Sequence, residues 1–456
     1  MAGIGFELRK LLRHETYANI LQAYSYAGIL SAGPWVISIF GILCLNLLKY
    51  AEVYKVHQIS QFQTSITYLI ASSLIFSSFT QHSFTRYISD RLFQRQIRYI
   101  VPNFNGMLFL LTVASGILGF ALAIMLFPKQ DSLYRILLGG SFVVLCNIWL
   151  ATNLLSGLKA YRTILTVFFL GYGLTIGIGY FLRNFGLDGL MIGFFVGQSI
   201  LLAGMLVMLF IYYPSNRFID FDFLRPGKIF ISLVFTSLFY NLGIWIDKFI
   251  FWYYPATSHA VLGSLRVSMI YDIPIFLAYV TIIPGMAIFL FRMETDFVEY
   301  YKKYYDAIVE GGSLTHIINM RVQMIAAARR GIFEIVRIQG FFVLMVIVLG
   351  PQILNLLGIS SHYVYLLNID VIGTGLLVVF LALLNLFFYL DRRKETLILT
   401  GLFLLLNTLL TLVTLKLGIF YFGYGFVCSV LIVNILAIIL INYDFKRLEY
   451  ITFMRQ

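Results

Sequence analysis

Apolar stretches of about 20 residues, the length that crosses a hydrocarbon core, recur along nearly the whole chain. They fall at approximately 22-48, 62-80, 104-127, 135-157, 162-182, 189-212, 229-252, 268-291, 333-357, 363-390, 396-416 and 420-442, twelve in all. Charged residues make up only 12% of the 456, too few to cover a surface in water. A polytopic α-helical membrane protein tolerates this, because lipid solvates most of its surface and each helix satisfies its own backbone. The second stretch is the least apolar, carrying Gln63, Thr64, Ser65, Thr67, Ser72 and Ser73.

The net charge of +12 would suggest nucleic acid in a soluble protein. Here the better reading is that inside loops collect Lys and Arg. With the N-terminus placed in the cytoplasm, 25 of the 33 Lys and Arg fall on the inside. That split predicts both termini cytoplasmic and an even number of spans. A short basic amphipathic segment (Arg9, Lys10 and Arg13 among Ile4, Phe6, Leu8, Leu11 and Leu12) opens the chain. Ser31-Ala32-Gly33 followed by Pro34 is a poor cleavage site, so the first apolar stretch is expected to remain as a span. Gly33-Pro34 then interrupts that span.

The expected organisation is a six-helix lobe over 1-212, a cytoplasmic linker over 213-228 and a second six-helix lobe over 229-456. Within the second lobe, 292-332 reads as two cytoplasmic helices joined at Gly311-Gly312, the second capped by Ser313. Tyr301, Tyr305, Lys302 and Arg321 make this extension a candidate docking surface for a partner. Gly-rich hairpins at 183-197 and 416-430 align Gly189 with Gly425 and suggest a parallel internal repeat. Gly189, Gly193 and Gly197, four apart, read as close-packing positions.

Catalytic motifs are absent. There is no phosphate-binding G-x-x-x-x-G-K-[ST], no H-E-x-x-H and no G-x-S-x-G, and Cys44, Cys146 and Cys428 lack metal-type spacing. The chain is therefore expected not to be an enzyme and to need no cofactor. Charge within a membrane span is expensive and usually functional. Asp247 heads the candidate list, with Asp272 and Asn241 beside it. Asp247 has two readings, a structural pair with Lys248 or Arg266, or a cavity carboxylate that binds a cation or cargo. Tyr240, Trp245 and Tyr26 add rings and Gln63 an amide to a candidate transport cavity. Asp370 reads as interfacial. Gly33, Pro34, Pro274 and Pro284 are candidate hinges, since each proline removes a backbone hydrogen bond.

The residues Met1-Ala2-Gly3-Ile4-Gly5-Phe6-Glu7-Leu8-Arg9-Lys10, then Ala23-Tyr24, Tyr26-Ala27-Gly28 and Ser31-Ala32-Gly33-Pro34-Trp35, closely resemble the start of the PelG family. These are bacterial exopolysaccharide transporters of the multidrug/oligosaccharidyl-lipid/polysaccharide flippase superfamily. The resemblance implies two lobes around a central cavity lined by the first and seventh spans, working by alternating access. It implies transport of a nascent amino-sugar polymer across the cytoplasmic (inner) membrane. It also implies partners, namely a cytosolic glycosyltransferase of the Pel system and the membrane subunits PelD and PelE. No catalytic residue and no nucleic acid partner is implied. The competing readings are an ion-coupled flippase for lipid-linked oligosaccharide and a cation or multidrug antiporter. Few spans carry an interior Lys or Arg, which counts against a pyrophosphate-linked cargo. A membrane glycosyltransferase would need a large acidic loop, and Asp220-Phe221-Asp222 in the linker is a poor substitute.

Overall fold

The computed structural model describes residues 56–155 and 161–454. The first expected span, and with it Tyr26, Gly33 and Pro34, lies outside the described residues. Every later expected span falls on a helix. In chain order these are α1 (Val56–Phe93), α2 (Ile100–Leu126), α3 (Ser132–Leu155), α4 (Tyr161–Phe181), α5 (Gly186–Tyr212) and α6 (Ile231–Tyr253). After a two-stranded antiparallel hairpin, β1 (His259–Leu262) and β2 (Leu265–Val267), come α7 (Met269–Val280), α8 (Ile283–Phe291) and α9 (Val298–Val309). The chain continues through α10 (Leu314–Leu356), α11 (Val364–Tyr389), α12 (Arg393–Leu417), α13 (Tyr424–Lys446) and α14 (Leu448–Met454). Among the described residues, nine helices are long and apolar enough to span a membrane, with a shorter apolar helix at Thr166–Phe181.

α1, the least apolar of the expected spans and not one of those nine helices, stays helical because its hydroxyls turn back on it. Thr64, Ser65, Thr67 and Ser72 donate to the carbonyls of Ser60, Gln61, Gln63 and Tyr68 at 2.6–2.9 Å. Each hydroxyl is satisfied within its own helix, so the helix can be buried without orphaned groups.

The chain forms two compact units. The first holds the described residues up to Trp245 and Phe251–Ser268; the second holds Ile246–Ile250 and the residues from Met269 onward. In the first unit the segment read as a linker is fastened down. Arg91 is ion-paired with Asp222, whose other oxygen faces Arg225 at 3.3 Å. The Asp220 amide donates to the Pro102 carbonyl at 2.9 Å, and Asn105 Nδ2 donates to the Phe218 carbonyl at 2.8 Å. The α4–α5 hairpin packs tightly: a Cβ at Gly189 would lie 2.1 Å from the Leu182 carbonyl oxygen. In the second unit a Cβ at Gly425 would lie 2.6 Å from the Thr411 amide nitrogen. The two glycines that align in the sequence repeat thus both let a helix approach the backbone of the one before it.

The second unit contains a broken span. α7 ends at Val280 and α8 begins at Ile283, with Pro274 inside α7 and Pro284 in the first turn of α8. A proline in a first turn costs nothing, because that N–H has no helical acceptor. The backbone groups freed at the break find side-chain partners. Gln339 Oε1 accepts from the Gly285 amide at 3.1 Å, and Gln339 Nε2 donates to the Thr281 carbonyl at 3.2 Å. Thr374 Oγ1 donates to the Ala278 carbonyl at 3.2 Å. Irregular backbone inside a membrane domain is stable only with such replacements.

Beyond α8 a π-helical segment, Arg292–Phe297, leads into α9. The expected pair of helices joined at Gly311-Gly312 is present, and Ser313 Oγ caps the second by accepting from the His316 amide at 3.3 Å. One feature differs from expectation. The second helix does not stop before the next span, since α10 runs unbroken for 43 residues. Met324-Ile325-Ala326-Ala327-Ala328-Arg329-Arg330 contains no stop signal, so nothing ends the helix there.

Candidate functional site: a buried charge cluster in the second unit

Asp247 and Lys248 lie in the part of α6 that belongs to the second unit, and their side chains are 0% and 1% exposed. Adjacent residues on a helix point in different directions. Here the long lysine stem folds back, and Nζ donates to both Asp247 oxygens, at 3.2 and 3.1 Å. Nζ also donates to the Tyr279 hydroxyl at 3.3 Å. It lies 4.9 Å from the ring centroid of Tyr279 and 5.5 Å from that of Phe426, so the ammonium gains ring quadrupole attraction where water is excluded. Tyr271 Oη donates to Asp247 Oδ2 at 2.6 Å, a charge-assisted bond.

Asp370, in the second turn of α11, completes the cluster. It is 0% exposed within the protein. Neither of its oxygens has a hydrogen-bond partner among the described residues. Lys248 and Asp247 both act on it electrostatically, with opposite sign. A Cβ at Gly423, the residue that caps the start of α13, would lie 2.8 Å from Asp370 Oδ1. The carboxylate therefore faces a helix N-terminus, whose partial positive charge favours an anion. Among the described residues one ammonium serves these two buried carboxylates, an excess of one negative charge that a proton or a monovalent cation would balance.

The other candidate residues are distributed over both units. Asp272 is buried in the first turn of α7, next in sequence to Tyr271. Asn241 belongs to the first unit, where its Nδ2 donates to the Ser237 carbonyl at 2.9 Å and to Gln81 Oε1 at 3.3 Å. Trp245 lies 6.4 Å from Trp252 in the same unit, and Tyr240 and Gln63 are partly buried there. Arg266 donates to Ser258 at 3.0 and 3.1 Å instead of pairing with Asp247. In the extension, the rings of Tyr301 and Tyr305 lie 4.6 Å apart and tilted at 49°, and Tyr301 packs on Tyr389 at 5.4 Å. Arg321 is paired with Glu449 at 3.1 Å, and Lys302 is exposed.

Sequence reasoning missed three residues. Tyr279 is one of many tyrosines, and nothing marks it as the partner of an ammonium. Gln339 lies in an apolar helix and shows its role only against the break. Glu294, in the π-helical segment, is 5% exposed and accepts from Asn385 Nδ2 and Tyr389 Oη, both at 2.9 Å. An acid three residues past an apolar span was the available signal.

Comparison with known proteins agrees with this architecture. The family model PelG, described as "Putative exopolysaccharide Exporter (EPS-E)", matches residues 1–453. No curated protein matches. Among solved structures, an outward-facing multidrug resistance MATE family transporter of the MOP superfamily is 16% identical with a TM-score of 0.62, covering 94% of this chain and 97% of that one. A MOP superfamily transporter from Pyrococcus furiosus is also 16% identical with a TM-score of 0.62, over 93% of this chain and 97% of that one. A MATE protein in the bent conformation is 14% identical with a TM-score of 0.63, over 95% and 96%. At such identities the likeness is one of fold: the chain has a MATE-like transporter fold.

Proposed function

We propose that this chain, which belongs to the PelG family of exopolysaccharide exporters, carries a nascent amino-sugar polysaccharide across the cytoplasmic membrane while a cytosolic glycosyltransferase makes it. The observation that carries this reading is the family match over residues 1–453, nearly the full sequence. The MATE-like helical fold supports transport rather than catalysis. In this reading both termini are cytoplasmic. The extension over 292-332, with Tyr301, Lys302, Tyr305 and Arg321, faces the synthase, PelD and PelE.

The buried cluster is assigned the energetic role. Asp370 exchanges a proton or monovalent cation, and Asp247 and Lys248 form the fixed pair against which that exchange is felt. The expected outcome is that Asp247→Asn and Asp370→Asn each lower secreted polysaccharide at least tenfold while membrane insertion is unchanged. Secretion at the wild-type level in both variants would remove the cluster from the mechanism.

The unpartnered Asp370 oxygens also favour a second reading, an ion-coupled flippase for lipid-linked oligosaccharide or a cation/multidrug antiporter. The two readings separate on cargo. An antiporter confers resistance to cationic dyes in a strain that makes no polysaccharide, and an exporter does not.

A further inference from the structure

A cavity of about 590 Å³ opens in the first unit. Its volume lies within the range of roughly 300–1,000 Å³ typical of small-molecule sites. The lining comes from Gln58 in α1, Asp131 and Tyr134 at the start of α3, and Arg183, Asn184, Phe185 and Asp188 where α4 turns into α5. Tyr134 Oη shares a 2.8 Å hydrogen bond with Ser65 Oγ, which fixes the phenol at the cavity wall. The Phe185 ring is 64% exposed.

The chemistry of this lining is selective. Amides supply paired donors and acceptors, carboxylates accept from vicinal hydroxyls, and an exposed ring offers a face to the C–H surface of a pyranose. Two helices, α3 and α5, begin at the cavity, and helix N-termini attract anions. Asp131 precedes α3 and Asp188 sits in the first turn of α5, so their charges already offset those dipoles. Asp131 also acts on Asp188 as a like charge. Arg183 supplies one guanidinium against these two carboxylates, so an anionic ligand such as a sugar phosphate would meet a net negative wall, whereas a neutral or N-acetylated sugar would meet hydrogen-bonding partners.

We propose that this cavity binds a short run of neutral or N-acetylated hexose units of the exported polysaccharide. The inference rests on the polysaccharide reading above and adds a holding place for the polymer within the first unit. The test uses the full chain in lipid nanodiscs and an N-acetylhexosamine tetrasaccharide as probe, with affinity measured calorimetrically. The variants are Asn184→Ala/Phe185→Ala, at two exposed positions, and Asp188→Asn. The expected result is a tenfold or greater loss of affinity in the double variant, with an unchanged melting temperature, and a smaller loss in Asp188→Asn. Equal binding by wild type and double variant, or no binding by wild type, overturns the proposal. So does tighter binding of a hexose 1-phosphate than of the neutral sugar. Normal secretion by the double variant with unchanged binding discards the cavity and leaves the transport reading intact. If the wild-type chain restores no secretion to a strain lacking its own exporter, the transport reading itself falls.

Discussion

Lys248 is held by Asp247, by the Tyr279 hydroxyl and by two ring faces, all within the second unit. Removing it alone would strand two carboxylates without a cation. Breaking a buried pair in this way costs about 3–5 kcal/mol, whereas replacing both partners by apolar groups is often nearly neutral. Lys248→Met is therefore expected to lower the melting temperature in detergent sharply, and Asp247→Leu/Lys248→Met to recover most of the loss. A single variant that melts like wild type would show the ammonium to be dispensable. Asp247 was legible in the sequence as a charge inside an apolar run. The burial of Asp370 was not, because it depends on a helix distant in sequence. What buries Asp370 is the start of α13, more than fifty residues away in sequence.

The broken span is the element with the clearest physical logic. Its position was legible, since Pro284 and Gly285 interrupt an apolar run. Its repair was not, because Gln339 belongs to α10 and meets the break only in the fold. Replacing Gln339 with Leu would orphan the Gly285 amide and the Thr281 carbonyl. An unsatisfied buried group costs about 1–3 kcal/mol, so Gln339→Leu is expected to lower the melting temperature by several degrees. Gln339→Glu keeps the acceptor for Gly285 and loses the donor to Thr281, so its effect should be intermediate. Equal stability in all three proteins would mean that water already serves the break. The same locality explains α10: the Ser313 cap could be read from neighbouring residues, but the continuity of 43 residues depended on a stop signal that is absent.

For the whole molecule, helix type and placement were carried by apolar length alone, which is why every expected span after the first falls on a described helix. Family and fold follow from the match over residues 1–453 and the MATE-like neighbours. Sidedness rests on the Lys and Arg distribution and makes its own prediction. In a background with Cys44, Cys146 and Cys428 replaced by Ser, Asn184→Cys should react with a membrane-impermeant maleimide in intact spheroplasts. Lys302→Cys should react only after permeabilisation, and the opposite pattern would invert the orientation. The central claim is that this chain carries polysaccharide across the membrane. It is tested most directly in inverted membrane vesicles that contain the synthase and its membrane partners, supplied with a labelled nucleotide sugar. With the wild-type chain, labelled polymer should become protected from added glycosidase, and with Asp370→Asn it should stay digestible. Equal protection in vesicles that lack the chain would contradict the account.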